Sequence, residues 1–253
     1  MTDTFKVACV QNCAGPDMAA NIDDAIALCR DAHREGASLI CTPEFFTCFD
    51  KTDQGLRVGA FPEPEHPALP AFKRLAEELR VWLLLGSLAI QVGPERLNNR
   101  SFLISPEGRI VTRYNKIHMF DVDLPNGEVF RESDVFEPGA DAVLGHTPWG
   151  TVGLSVCYDL RFAYLYRLLA QAGAVFLTVP AAFMKTTGQA HWHALLRSRA
   201  IETGCYIIAP DQVGEHSGGR KTFGNSMIVN PWGEVVQKST GEGEDIIFET
   251  LDE

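Results

Sequence analysis

The stretch VLGHTPWGTVGLSV, residues 143–156, decides how the rest of the chain is read. Two apolar runs flank Thr-Pro-Trp-Gly. Proline at the second turn position presets φ for a type I turn, and glycine at the fourth suits the chain's exit. The stretch therefore predicts a β-hairpin turning at Pro148. The same grammar recurs in SFLISPEGRIV (101–111), turning at Pro106, and in SMIVNPWGEVV (226–236), turning at Pro231. Their spacing is irregular, so this is a recurrent device and not a fixed-period repeat. Hairpins bring antiparallel pairs and exclude a purely parallel, doubly wound sheet.

Around the hairpins, strand and helix patterns alternate. FKVACVQ (5–11), ASLICTPE (37–44), VWLLLGSLAI (81–90), AVFLTVP (174–180), CYIIAP (205–210) and DIIFETL (245–251) read as strands. NIDDAIALCRDAHREG (21–36) reads as an amphipathic helix with Asn21 as N-cap and Gly36 as its stop. LPAFKRLAEELR (69–80) places Leu69, Phe72, Leu75, Ala76 and Leu79 on one helical face. Further helices are expected over 162–173 and 188–204. The class is α/β, with helices packed on sheet faces. About a dozen strands approach the limit for one open twisted sheet. Two stacked mixed sheets with helices outside are the simplest arrangement, and one large mixed sheet is the alternative.

Composition narrows the function. The chain has 253 residues, 45 % apolar and 22 % charged, with a formal net charge of −11. That length suits one large domain or two small ones. No Lys/Arg-rich run marks a nucleic-acid surface. The N-terminus has no basic segment followed by an apolar one, and no apolar run reaches the ~18 residues of a membrane span. A cytoplasmic location is expected, where the seven cysteines stay reduced. None is spaced CxxC, and the two histidines of HWH (191–193) face different ways on a helix, so no metal site is expected.

Candidate chemistry falls near strand ends. Cys157 closes the run TVGLSVC and precedes DLRF, which leads into a helix. A nucleophile at such a turn is presented at a sheet edge, and a helix N-terminus would favour its thiolate. A buried, inert thiol is the alternative. Cys9, Cys41 and Cys205 lie in apolar strand runs and Cys29 on a helix's apolar face, while Cys13 and Cys48 fall in loops. Glu44 ends the second strand against Phe45 and Phe46. Desolvation there would raise its pKa toward that of a general base, with a loop salt bridge as the other reading. Lys116 sits among Tyr114, Ile117, Met119 and Phe120, where an ammonium could donate to an oxyanion. Glu132 alone reads as a surface loop residue. His118 is the rival base.

Four separated motifs then occur in order: TPEFF (42–46), RYNKIHMFD (113–121), RES (131–133) and GLSVCYDLRF (153–162). Together they resemble the nitrilase-related carbon–nitrogen hydrolases, and within them the Nit amidase branch. TTGQAHWHALLRSRAIETGCYII (186–208) is similar to a further segment of that branch. The resemblance implies a single domain over 1–253 folded as a four-layer α-β-β-α sandwich of two mixed sheets. It implies Glu44 as general base, Lys116 as stabiliser of the tetrahedral intermediate, Cys157 as nucleophile and Glu132 as the residue orienting Lys116. The backbone N–H of Tyr158 would help hold the oxyanion. No metal or organic cofactor is implied, and the assembly would be at least a homodimer.

The implied reaction is hydrolysis of a small carboxamide to carboxylate and ammonia through a thioester. Deaminated glutathione is the expected substrate and α-ketoglutaramate or another dicarboxylate monoamide the alternative. Both are anionic, so Lys185, Arg220 and Lys221, read as loop residues, are candidate binders. Three wordings depart from the branch: Asn225 stands where a histidine is expected, PDQ (210–212) is more acidic, and TPEFFTCFD (42–50) differs after its glutamate. Other classes remain: a non-catalytic interaction protein, a Cys–His enzyme using His118, and an N-carbamoyl hydrolase or nitrilase.

Overall fold

The three expected hairpins form. In the computed structural model, which describes residues 4–52, 55–124 and 127–252, Ile104 pairs with Ile110, Thr147 with Gly150 and Val229 with Val235 across the three proline turns. A further long hairpin, Trp82–Gln91 with Leu97–Ile104, was not anticipated. Its connection lacks the x-Pro-x-Gly wording on which the other three were read.

Two six-stranded mixed sheets result. The first runs 245–251, 5–11, 39–41, 82–91, 97–104, 110–115, and the second 144–147, 150–154, 174–178, 206–209, 227–229, 235–238. In each, the central strands are parallel and the flanks antiparallel. Period-two alternation explains how the sheets stack. Val7, Cys9, Leu39, Cys41 and Leu84 point into one core with Val152, Leu154 and Phe176 of the second sheet. Their neighbours Ala8, Val10, Ile40, Leu83 and Leu85 face the other way, onto two helices. Those helices are α1 (Met18–Arg34) and α2 (Ala68–Leu79). On the far side, α3 (Ala163–Gln171) and α4 (Lys185–Thr203) pack Leu165, Tyr166, Trp192 and Leu196 against the second sheet, in one continuous apolar cluster with the inner core. The layers are α-β-β-α, which decides between the two arrangements left open by pattern.

Helix ends differ from expectation for identifiable reasons. Asp17, not Asn21, caps α1, its carboxylate accepting from the N–H groups of Ala19 and Ala20. Asn21 lies buried inside the helix and donates to the carbonyls of Gly15 and Thr47. Helix α4 begins at Lys185, so Lys185 is in a helical first turn and not in a loop. Among the described residues no helix is long and apolar enough to cross a membrane.

Candidate active site

Glu44 and Cys157 each follow a parallel strand, at the carboxyl edges where crevices form in α/β sheets. The chain reaches Glu44 by a close crossing. A Cβ on Gly86 would lie 2.1 Å from the Thr42 carbonyl oxygen, so only glycine allows strand 82–91 to pass there. Beyond Glu44, Phe45 adopts φ 52° and its N–H donates to the backbone oxygen and the hydroxyl of Ser87. Cys157 itself sits at φ 48°, in the left-handed region that L-residues rarely occupy. Its N–H donates to the Pro180 carbonyl at 2.9 Å. Asp159 fixes the same turn. It accepts from the Val156 N–H, the Tyr114 hydroxyl and both the N–H and the ring Nδ1 of His118. The residues flanking Lys116 are thereby tied to the turn that carries Cys157.

Three charges meet here, nearly dry. Lys116, 2 % exposed, places Nζ 3.0 Å from Glu44 Oε1 and 2.9 Å from Glu132 Oε2. Glu132 begins a short 3₁₀ turn, where its Oε2 accepts the Phe120 N–H. Glu44 Oε2 accepts the Ala182 N–H at 2.9 Å, and the Cys157 thiol donates to the same carboxylate. Asn99, which the sequence reading passed over, donates from Nδ2 to Glu44 at 2.8 Å and to Glu132 at 3.3 Å. Its one sign in the sequence is a pair of amides, Asn98–Asn99, inside a strand.

The electrostatics correct two expectations. Burial pushes the Glu44 carboxyl up, as anticipated. The Lys116 charge, with hydrogen bonds from Cys157, Lys116 and the Ala182 N–H, outweighs it and holds the group below its ordinary 4.5. The Cys157 thiol is pushed well above 9.0, first by burial and then by the Glu44 charge, with Lys116 opposing. A thiolate favoured by a helix N-terminus is therefore not what the fold provides. The turn after Cys157 is a five-residue 3₁₀ segment, and α3 starts only at Ala163. Lys116 is lowered by burial but raised further by Glu132 and Glu44, so it stays an ammonium.

A cavity of about 470 Å³ opens over Cys157, lined by Glu44, Lys116, Glu132, Tyr158 and Arg220 among apolar walls. Of the three candidate cations only Arg220 lines it. Its guanidinium lies over the rings of Phe49, at 4.9 Å, and Phe130, at 5.2 Å. Its Nε is buried with no hydrogen-bond partner among the described residues. Lys185 and Lys221 line a neighbouring depression instead. Lys221 lies on a strand, not in a loop, and pairs with Glu215 at 2.9 Å near the surface. His118 does not line the cavity. It stacks on Phe162 at 3.6 Å and bonds Asp159 and Tyr164. Cys9, Cys29, Cys41, Cys48 and Cys205 are buried, and Cys13 is exposed.

Comparison with known proteins follows the same lines. A carbon–nitrogen hydrolase family model matches residues 6–253. A deaminated glutathione amidase of Yersinia enterocolitica is 38 % identical over 235 residues, covering 91 % of this chain and 81 % of that one. The omega-amidase NIT3 of Saccharomyces cerevisiae is 32 % identical over 259 residues, covering 100 % and 88 %. The crystal structure of the C. elegans NitFhit protein superposes with a TM-score of 0.88 at 31 % identity, covering 99 % of this chain, which spans 61 % of that protein. With a match of this extent on a fold that brings the four motifs to one cavity, the chain belongs to the carbon–nitrogen hydrolase family.

Proposed function

We propose that this chain hydrolyses a small amide carrying a carboxylate, by way of a thioester on Cys157. One observation carries the reading: Cys157, Glu44, Lys116 and Glu132 come from four separate segments and converge at one cavity. Glu44 is the general base, ionised because its pKa is held low. The raised thiol does not ionise beforehand, so proton transfer to Glu44 accompanies attack of sulfur on the amide carbon. The oxyanion forms beside Lys116 and the Tyr158 N–H. The C–N bond then breaks, and protonated Glu44 returns the proton to the leaving nitrogen. Water, deprotonated by Glu44, cleaves the thioester, giving the carboxylic acid and restoring the thiol. Glu132 keeps Lys116 charged and in place.

For the substrate we take deaminated glutathione, with α-ketoglutaramate as the second reading, on the strength of the activities named for the two relatives. The two compounds share their acyl half, a 2-oxo-dicarboxylate. They differ in the leaving group, which is the amine of cysteinylglycine in the first, correcting the expected release of ammonia, and ammonia in the second. A cavity of about 470 Å³ has room for the longer one. Arg220 is the proposed partner of the substrate carboxylate, supported by its buried, unpartnered Nε. For its setting we take the cytoplasm, and for its assembly at least a homodimer. Exposed Tyr164 and Leu168 on α3, with Ile201 on α4, support an association face, which light scattering in solution tests.

The test follows 2-oxoglutarate, the acyl product of both substrates; an ammonia assay sees only α-ketoglutaramate. Wild type should release it and Cys157→Ala should not. Release from neither compound removes the substrate assignment, and undiminished release by Cys157→Ala removes the mechanism.

A further inference from the structure

Behind the site lies a carboxyl group that the mechanism does not use. Asp211 is 0 % exposed. Its backbone N–H donates to the Ser226 hydroxyl and its Oδ1 accepts the Phe183 N–H at 2.8 Å. Its Oδ2 is buried without a hydrogen-bond partner among the described residues. The groups acting on it are Glu44, from the turn after strand 39–41, and the N–H groups of Phe183 and Gln212, with no cation among them. Cys157 feels the Asp211 charge in turn.

The segment Pro180–Phe183 makes this arrangement more than packing. Its successive peptide groups bind three different parts of the site. The Pro180 carbonyl accepts the Cys157 N–H at 2.9 Å, the Ala182 N–H donates to Glu44 at 2.9 Å, and the Phe183 N–H donates to Asp211. Ala181 completes the strap, its N–H donating to the Pro210 carbonyl and its own carbonyl accepting from the Gln212 N–H. One short strap thus sets the distance between nucleophile and base, and Asp211 anchors its far end.

We propose that Asp211 is a positioning residue for the catalytic pair, acting through the Pro180–Phe183 strap as an uncharged carboxylic acid. A carboxylate there would be fully buried, with the Glu44 charge nearby and no cation among the groups acting on it, and the cost of burying it so falls far above that of an acid. Loss of the anchor frees the Phe183 N–H and lets Ala182 drift from Glu44, which displaces the base from the thiol.

The inference rests on Glu44 being the general base, so Glu44→Gln is measured alongside. Asp211→Ala should lower kcat about 10- to 100-fold with little change in KM, as for misplaced reacting groups. Asp211→Asn keeps the acceptor and cannot ionise, and it should recover most of that loss. Its curve of Cys157 alkylation by iodoacetamide against pH should overlay that of wild type. Wild-type kcat in Asp211→Ala overturns the inference, as does an Asp211→Asn enzyme as impaired as the alanine variant. An alkylation curve displaced to lower pH in Asp211→Asn shows that Asp211 carried a charge, and it decides the matter even where the alanine variant does not fold. Full activity in Glu44→Gln removes the general-base reading by itself. A dead Glu44→Gln beside a fully active Asp211→Ala removes only the role of Asp211.

Discussion

Replacing Lys116 with methionine tests the electrostatic core of the site. The side chain keeps most of its volume and loses its ammonium. Contacts at 3.0 and 2.9 Å with Glu44 and Glu132 are each worth about 5 kcal/mol of attraction at an effective dielectric of ~20. Burying the ammonium offsets several kcal/mol of that sum. What the variant leaves is two carboxylates bridged by the Asn99 amide at 2.8 and 3.3 Å. Like charges so close cannot both ionise, and one takes a proton near neutral pH. Glu44 then loses its basicity and the oxyanion loses its cation. Together these should lower kcat roughly 10³-fold or more, read as 2-oxoglutarate release over a range of pH. Stability reports the same event with a definite sign. In the wild type the Glu44 pKa lies below 4.5, so its contribution is full above that value and is lost as pH falls through the folded pKa. In Lys116→Met the folded pKa of the carboxylate pair is raised, so stability is lost as pH rises through it. Thermal melts of the variant should therefore weaken from about pH 5 to pH 7, where the wild type does not lose this contribution. Turnover within tenfold of wild type, or melts that do not weaken over that window, would refute the reasoning.

Other outcomes follow from single contacts. Arg220→Met should raise KM for a carboxylate-bearing amide roughly 10- to 100-fold, the worth of a hydrogen-bonded charge, and leave an uncharged amide unaffected; equal losses on both contradict the assignment. His118→Ala keeps the backbone N–H bond to Asp159, removes the ring contacts to Asp159 and Tyr164, and should cost ~1–3 kcal/mol in a denaturation curve while kcat stays within tenfold. A loss of several orders in kcat would instead restore a Cys–His mechanism. Gly188→Ala places a Cβ 2.4 Å from the Phe223 ring and should cost about 1–3 kcal/mol by overpacking; an unchanged melting temperature contradicts that contact.

Much of the scaffold could be read from the sequence because its information is local. The three proline turns and the alternation in Phe5–Gln11 need only neighbours to interpret. Asp17 was missed as the α1 cap because Asn21, four residues later, offers the same chemistry, and only the fold shows Asn21 turned inward to Thr47. In the site, Cys157, Glu44 and Lys116 were each visible at a strand end, but local pattern did not unite them with Glu132; only the four ordered motifs of the family resemblance did. Glu132 shows why. It lies in an acidic loop segment like others on the surface, and only its contact with Lys116 separates it from them. Asn99 was invisible for the same reason, and Asp211 was marked only as the acidic residue of PDQ, since both act through partners distant in sequence. Arg220, Lys185 and Lys221 looked equivalent as loop cations. The structure separates them by what surrounds each: two aromatic rings for Arg220, a carboxylate for Lys221, a helix start for Lys185.

The most consequential reversal concerns the thiol. A helix N-terminus after Cys157 would have favoured a thiolate at rest, yet burial and the adjacent carboxylate do the opposite. The two shifts together set the order of events. Glu44 is a weaker base than usual and Cys157 a weaker acid, so the resting pair keeps its proton on sulfur. A carbonyl beside Lys116 changes the balance, because the negative charge leaving sulfur ends on an oxygen that the ammonium faces. The proton moves only when that oxygen can accept the charge. In the proposed mechanism reactivity is thereby tied to occupancy of the cavity, so that a thiol in an 8 % exposed position would act as a nucleophile toward an amide and remain a poor one toward whatever else diffuses in.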